Sequence, residues 1–175
     1  MMHEFRLVFQ LPPVSSAVND WVEALAEAGC DDAIVGTGHP GRVVLEFCRE
    51  AEDAEQAIDS AINNVAEAIP GAELIEAAPD LAGLTEIAET IGISRQALRK
   101  QMLSRQDFPR PIHCGNPSLW RLAPVLDWLK RHRTYRIDPG LQAVARHNMR
   151  LNTRQQVRQS ERLIENLAVA GEMGG

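Results

Sequence analysis

Arg95, Gln96, Arg99 and Lys100 stand within six positions of one another, directly after Ser94, and their types are those that read nucleic acid. An arginine fork matches the O6 and N7 of guanine, a glutamine amide matches adenine, and a lysine ammonium neutralises phosphate. To act together these side chains need one face of one helix. Ser94 is suited to cap that helix, Leu98 and Met102 fall on its inner side, and the four polar residues then point outward. On an isolated helix the same pattern is a solvated face, so the preceding segment decides between the two. There, Thr85 can cap a short helix that turns Ile87 and Ile91 inward, with small Ala88 where a second helix must approach closely. Gly92 permits the positive φ of a tight turn, and Ile93 plugs the corner. Leu84 to Lys100 therefore reads as a helix-turn-helix.

Other residues with chemical potential each admit a bland reading beside the functional one. Arg110, His113 and Arg121 fall in the following segment, where contact with phosphate is one reading and an exposed loop of no fixed role is the other. Trp120 and Trp128 have Leu119, Leu122, Val125 and Leu129 around them and read as core residues rather than stacking platforms. Gly36-Thr37-Gly38-His39-Pro40-Gly41 lacks the Gly-Lys-Ser/Thr of a phosphate loop and joins two strands, so it reads as a turn. His113-Cys114 has no second pair at zinc-finger spacing, and Cys30, Cys48 and Cys114 are never spaced C-x-x-C. Neither a metal site nor a disulfide framework is expected, and the thiols read as reduced. Glu50, Glu52, Asp53 and Glu55 suit a helix N-terminus. No nucleophile, base and orienting group assemble from local motifs, so no catalytic residue, no cofactor and no enzymatic activity are expected.

The charge is divided along the chain. Its net value is -6, yet residues 1–80 carry 3 Arg against 16 Asp or Glu, whereas residues 81–175 carry 15 basic against 8 acidic side chains. Between Arg95 and Arg158 the tally is 14 against 3. A basic segment is the footprint of phosphate binding, because each neutralised phosphate releases condensed counterion. It is equally what a surface facing an acidic neighbour in the same chain would carry, and charge alone leaves both readings open. No apolar run reaches the roughly 18 residues of a membrane helix, and the start carries no signal-peptide pattern; the expectation is a cytoplasmic protein without a membrane partner.

The elements that would position these residues follow from periodicity. Phe5, Leu7, Phe9 and Leu11 alternate with more polar neighbours and predict a strand closed by Pro12-Pro13. A helix is expected from about Val18 to Ala28, then two short strands, Ala33 to Val35 and Val43 to Phe47. Asp53 caps a helix with the 3.6-period stripe Ile58, Ala61, Ile62, Val65 and Ile69, and a last strand lies near Leu74 to Ala77. Strand, helix, strand, strand, helix, strand is the ferredoxin-like βαββαβ plan. The expected fold is therefore α+β: an acidic ferredoxin-like domain over 1–79, a DNA-binding unit over 80–137, a basic helix over 141–170 and a flexible tail over 171–175.

Beyond the helix-turn-helix, Phe108-Pro109 with Pro111 leads to Trp120-Arg121 and then to Val125 with Trp128-Leu129. With Ile87-Ala88 and Ile91-Gly92-Ile93-Ser94 before them, these motifs resemble, in order, the winged helix-turn-helix of AlpA-type prophage regulators, excisionases and related MerR-type domains. The resemblance covers about Leu84 to Leu129 and does not reach the N-terminal unit. It implies a winged helix-turn-helix that binds double-stranded DNA as a transcriptional regulator. Two alternatives stand beside that reading. One is an excisionase-like architectural or recombination factor; the other is an antitoxin-like interaction module that autoregulates its operon.

After Asp138-Pro139-Gly140, arginines recur every four residues at Arg146, Arg150, Arg154, Arg158 and Arg162, a slanting ridge on a helix. Leu141, Val144, Leu151, Val157, Ile164 and Leu167 form an interrupted apolar stripe on the same segment. The expectation is a dimer contacted through this helix, with Arg150, Arg154 and Arg158 along DNA backbone and the acidic domain free for a protein partner.

Overall fold

A computed structural model describes residues 1–13, 18–132 and 135–173. The chain is mixed α+β with an antiparallel sheet. Its first half runs β1 (Met2–Gln10), α1 (Val18–Glu27), β2 (Ala33–Gly36), β3 (Arg42–Glu50), α2 (Ala54–Ala68) and β4 (Glu73–Ala78). The strands lie in the order β2-β3-β1-β4, each antiparallel to its neighbour. Alternation sets the buried face. His3, Phe5, Leu7 and Phe9 of β1 face inward with Val43, Leu45, Phe47 and Arg49 of β3, and Phe5 stacks on Phe47 at 5.0 Å between ring centroids. Ala57, Ile58, Ala61 and Val65 of α2 cover that face. Each large side chain so removed from water contributes about 1.5–3 kcal/mol.

The second half runs β5 (Leu81–Ala82), α3 (Leu84–Ile91), α4 (Arg95–Ser104), β6 (Trp120–Arg121), α5 (Leu122–Arg131) and α6 (Pro139–Met173). The two-residue strands β5 and β6 pair antiparallel, and around them a second core gathers Ile87, Ala88, Leu98, Trp120, Leu126 and Trp128. Both tryptophans are buried, as their neighbours implied. Phe108 meets Trp128 edge-on at 5.0 Å.

Several expectations need correction. Thr85 does not cap α3, because the helix begins two residues earlier than such a cap would set it and Gly83 stands at the N-cap without a side-chain bond. The last helix is not a separate basic arm. Val144 is buried in the first core and Ala145 in the second, so α6 is the beam against which both pack. Leu141 and Leu151 are likewise taken up by contacts within the chain. Residues 171–173 continue α6 rather than forming a tail, and Gly174 and Gly175 lie outside the described residues.

The seam between the halves is polar. Asn152 of α6 donates to the Ala77 carbonyl and accepts from the Ala77 amide, both at 2.8 Å, and so occupies the outer edge of β4 as a neighbouring strand would. It also donates to Asp80 at 2.7 Å. The Asp80 backbone carbonyl takes the Leu122 amide and its carboxylate takes Arg121, while Asn148 donates to Pro79. Asp80 is 1% exposed, and a carboxylate there is sustained only by these donors.

Candidate nucleic-acid interface

The α3–α4 corner has the local geometry that its residues dictate. Gly92 takes φ 74° and ψ 34°, the left-handed conformation that glycine adopts without a Cβ penalty, and its amide reaches back to Ala88 and Glu89. Ser94 caps α4, its hydroxyl accepting from the Ala97 amide at 3.1 Å. With the cap fixing the helix start, Leu98 turns fully inward and Met102 packs partly beneath it. Arg95, Gln96, Arg99 and Lys100 are all exposed, and among the described residues none of them makes a side-chain hydrogen bond or ion pair. Leu103 continues this outward face and is 69% exposed. Sequence reasoning missed it because a leucine on a helix is expected to be buried. Beside Arg99 and Lys100 it offers an apolar contact of the kind that meets a thymine methyl group.

The segment after α4 returns as a short hairpin. Ile112 and His113 donate to the Leu119 carbonyl, and the Leu119 amide donates to His113. Arg110, just before it, and His113 on it are exposed. Trp120 anchors its base, donating from Nε1 to the Pro109 carbonyl at 3.1 Å. Arg121 differs from the expectation. Its guanidinium turns in to Asp80 and also donates to Gln156 of α6 at 2.9 Å, so it joins the seam and is not available to phosphate.

The arginine ridge of α6 is divided too. Arg146 is bound to Asp127 at 2.7 Å, and Arg162 lies 3.6 Å from Glu73 of the acidic half. Arg150, Arg154 and Arg158 are exposed and make no ion pair among the described residues. Arg150 and Arg146, with Lys130 and Arg131 of α5, line a cleft of about 740 Å³ whose carboxylates are Asp107 and Asp127. Asp127 is engaged by Arg146 and Gln142, and Asp107 by His132 at 3.0 Å. The cleft keeps a surplus of positive charge.

Two charged clusters escaped the sequence reading. Arg49 is 7% exposed and donates to both carboxylate oxygens of Asp32, at 2.7 and 2.8 Å. It also donates to Gly29, Ser60 and Asn64, with its guanidinium 4.9 Å from the Phe47 ring centroid. Its signal was phase, since position 49 shares the inward register of 43, 45 and 47. Burial pushes the neighbouring Cys30 thiol up, against the opposing pull of the Arg49 charge. The second cluster is Arg105, His132 and Asp107. Arg105 donates to His132 Nδ1, which leaves Nε2 as the donor to Asp107.

Among the described residues no group of three or more His, Cys, Asp or Glu is arranged to hold a metal ion, and no helix is long and apolar enough to cross a membrane. The chain matches no protein-family model, no curated protein and no solved structure.

Proposed function

We propose that this chain is a sequence-specific double-stranded-DNA-binding protein acting as a transcriptional regulator. In this reading its second half is a winged helix-turn-helix, with α3 and α4 as the helix pair and the Ile112–Leu119 hairpin as the wing. The first half is a ferredoxin-like domain, supported by the βαββαβ sequence and the strand order β2-β3-β1-β4. One observation carries the functional reading. On α4, behind a capped start and a left-handed glycine corner, every outward residue from Arg95 to Lys100 that can bond a base or a phosphate is left without an internal partner among the described residues. Other basic side chains, by contrast, are turned to acidic neighbours, as are Arg121 to Asp80, Arg49 to Asp32 and Arg146 to Asp127, while Arg150, Arg154 and Arg158 share the unpaired state of the α4 face.

The roles follow from chemistry. Arg95, Gln96 and Arg99 reach base edges, Lys100 and the wing residues Arg110 and His113 meet phosphate, and Ser94 fixes the helix start. Arg150, Arg154 and Arg158 add contacts to the DNA backbone that carry no sequence information. The acidic half is repelled by phosphate and serves association or effector binding. The test is selection of bound sites from random double-stranded DNA by the full chain at physiological salt. The expected result is an enriched sequence. Binding without enrichment would favour an architectural factor of the excisionase kind, and absence of binding would overturn the assignment.

A further inference from the structure

The last part of α6, residues 156–173, is exposed throughout, with Gln156 and Arg162 tying its first turns to Arg121 and Glu73. At 1.5 Å per residue it is about 27 Å long. Placing its residues at 100° intervals gathers Ala170, Leu163, Leu167, Ser160, Gly171, Ile164, Val157 and Ala168 into one arc of about 160°, whose one strongly polar member is Gln156 at the inner end, bonded to Arg121. Of the charged residues, Glu161, Glu172, Glu165, Arg158 and Arg162 all fall outside that arc, on the next 100° or so. The helix is therefore amphipathic, yet its apolar side is bare: Val157 is 52% exposed, Leu163 55%, Ile164 65% and Leu167 73%. The stripe that looked interrupted in the sequence is two stripes. Its first part serves the chain's own cores through Val144 and Leu151, and its second part has no cover.

We infer that this distal face is a homodimer interface, covered by the same segment of a second copy of the chain. Three observations select that occupant. First, size fits: two such arcs facing each other along about 27 Å bury on the order of 1,000 Å² in total, the lower bound of a specific interface. Second, charge fits: two arginines against three glutamates leave the segment close to neutral, so two copies do not repel each other as two copies of the strongly acidic first half would. Third, the border of the arc excludes a lipid surface. Membrane-surface helices flank their apolar face with Lys and Arg, whereas one edge of this one carries Glu161, Glu172 and Glu165 and the other the neutral Gln159 and Asn166. Because α6 is continuous with the beam that carries both cores, pairing its distal halves would hold the two α4 faces at a fixed separation. That last consequence rests on the DNA-binding reading and predicts a site of two half-sites.

Sedimentation velocity of the full chain without DNA, from about 1 to 100 µM, tests the interface independently of any DNA. The expected result is a dimer for the natural chain and a monomer for Ile164→Asp with Leu167→Asp, with self-association weakened by about 100-fold or more. Far-UV circular dichroism and thermal midpoint should stay close to those of the natural chain, since both side chains are mostly exposed and belong to neither core. Val169→Asp, on the side opposite the middle of that arc, should remain dimeric. A natural chain that is monomeric over the whole range would overturn the inference, and so would a double variant that still dimerises. Binding of a monomeric natural chain to phosphatidylcholine or phosphatidylserine vesicles would overturn it in favour of lipid. A monomer that still selects a DNA sequence would remove the interface and leave the DNA reading intact.

Discussion

Arg49 in the first half and Arg99 in the second are the same side chain used in opposite ways. Arg49 spends its donors on a carboxylate, a carbonyl, a hydroxyl and an amide, all within the fold. Arg99 stands on an exposed helix face with no internal partner among the described residues. Local charge density would have ranked them the wrong way to find structure, because the arginine in the acidic half is the one the fold depends on. What separates a structural cation from one left for a ligand is whether the chain itself supplies its counter-charge. By that criterion Arg121 moves to the structural side, while Arg95, Arg99, Lys100, Arg150, Arg154 and Arg158 remain on the other.

The comparison breaks most visibly at the seam. Asp80→Ala would leave Arg121 with only Gln156 and remove one of the two acceptors of Asn152, an uncompensated buried charge that costs about 3–5 kcal/mol. Urea unfolding measures it, and a loss under about 1 kcal/mol would mean that the two halves do not depend on this network. Arg49→Met should cost somewhat less, about 2–3 kcal/mol, because Asp32 is partly solvated and can recover water. On the other side of the comparison, replacing Arg150, Arg154 and Arg158 together by Gln should leave stability within about 0.5 kcal/mol. The same variant should weaken binding to all DNA sequences and lower the salt dependence by up to about three units of slope. An unchanged slope would assign those arginines to solvent.

The smallest effect concerns pH. Desolvation is the strongest single influence on Asp107 and would raise its carboxyl, but the His132 hydrogen bond, the His132 charge and the other donors around it together hold the group below its ordinary value. A depressed folded value means that the contribution is present above the unfolded value and is lost as pH falls below about 4. Asp107→Asn should flatten that part of the stability profile slightly. Cys30 offers a matching check, because its raised thiol should resist alkylation at pH 8 while exposed Cys48 and Cys114 react.

Much of the architecture was legible where periodicity is long and one-sided. The alternation of β1 and the 3.6-residue stripe of α2 each bury one face, and Gly92 with Ser94 marked the corner of α3 and α4. The two-residue pair β5–β6 was not legible, since two residues carry no period. Nor was the shared role of α6, because Val144 and Ala145 face different cores and together look like a broken stripe. Asp80 follows a proline and reads as a linker residue, so nothing local announced that Arg121, 41 positions away, would turn to it. Ala145, Asn148 and Asn152 do share an inward helical spacing, and two asparagines on such a face are a usable sign of a buried polar seam. The beam also changes how the halves can be tested. Cutting at Pro79 would strip Val144, His147 and Asn152 of their partners, so the division of labour is better probed in the full chain.

The central claim is that the exposed face of α4 reads bases. Affinity of the full chain and of Arg99→Ala, measured side by side on the selected site and on random DNA, tests it most directly. The account predicts a loss of about 1–3 kcal/mol on the selected site, little change on random DNA and an unaltered thermal midpoint. Equal losses on both would reduce Arg99 to a phosphate contact, and full affinity for both would contradict the assignment of α4 as the recognition helix.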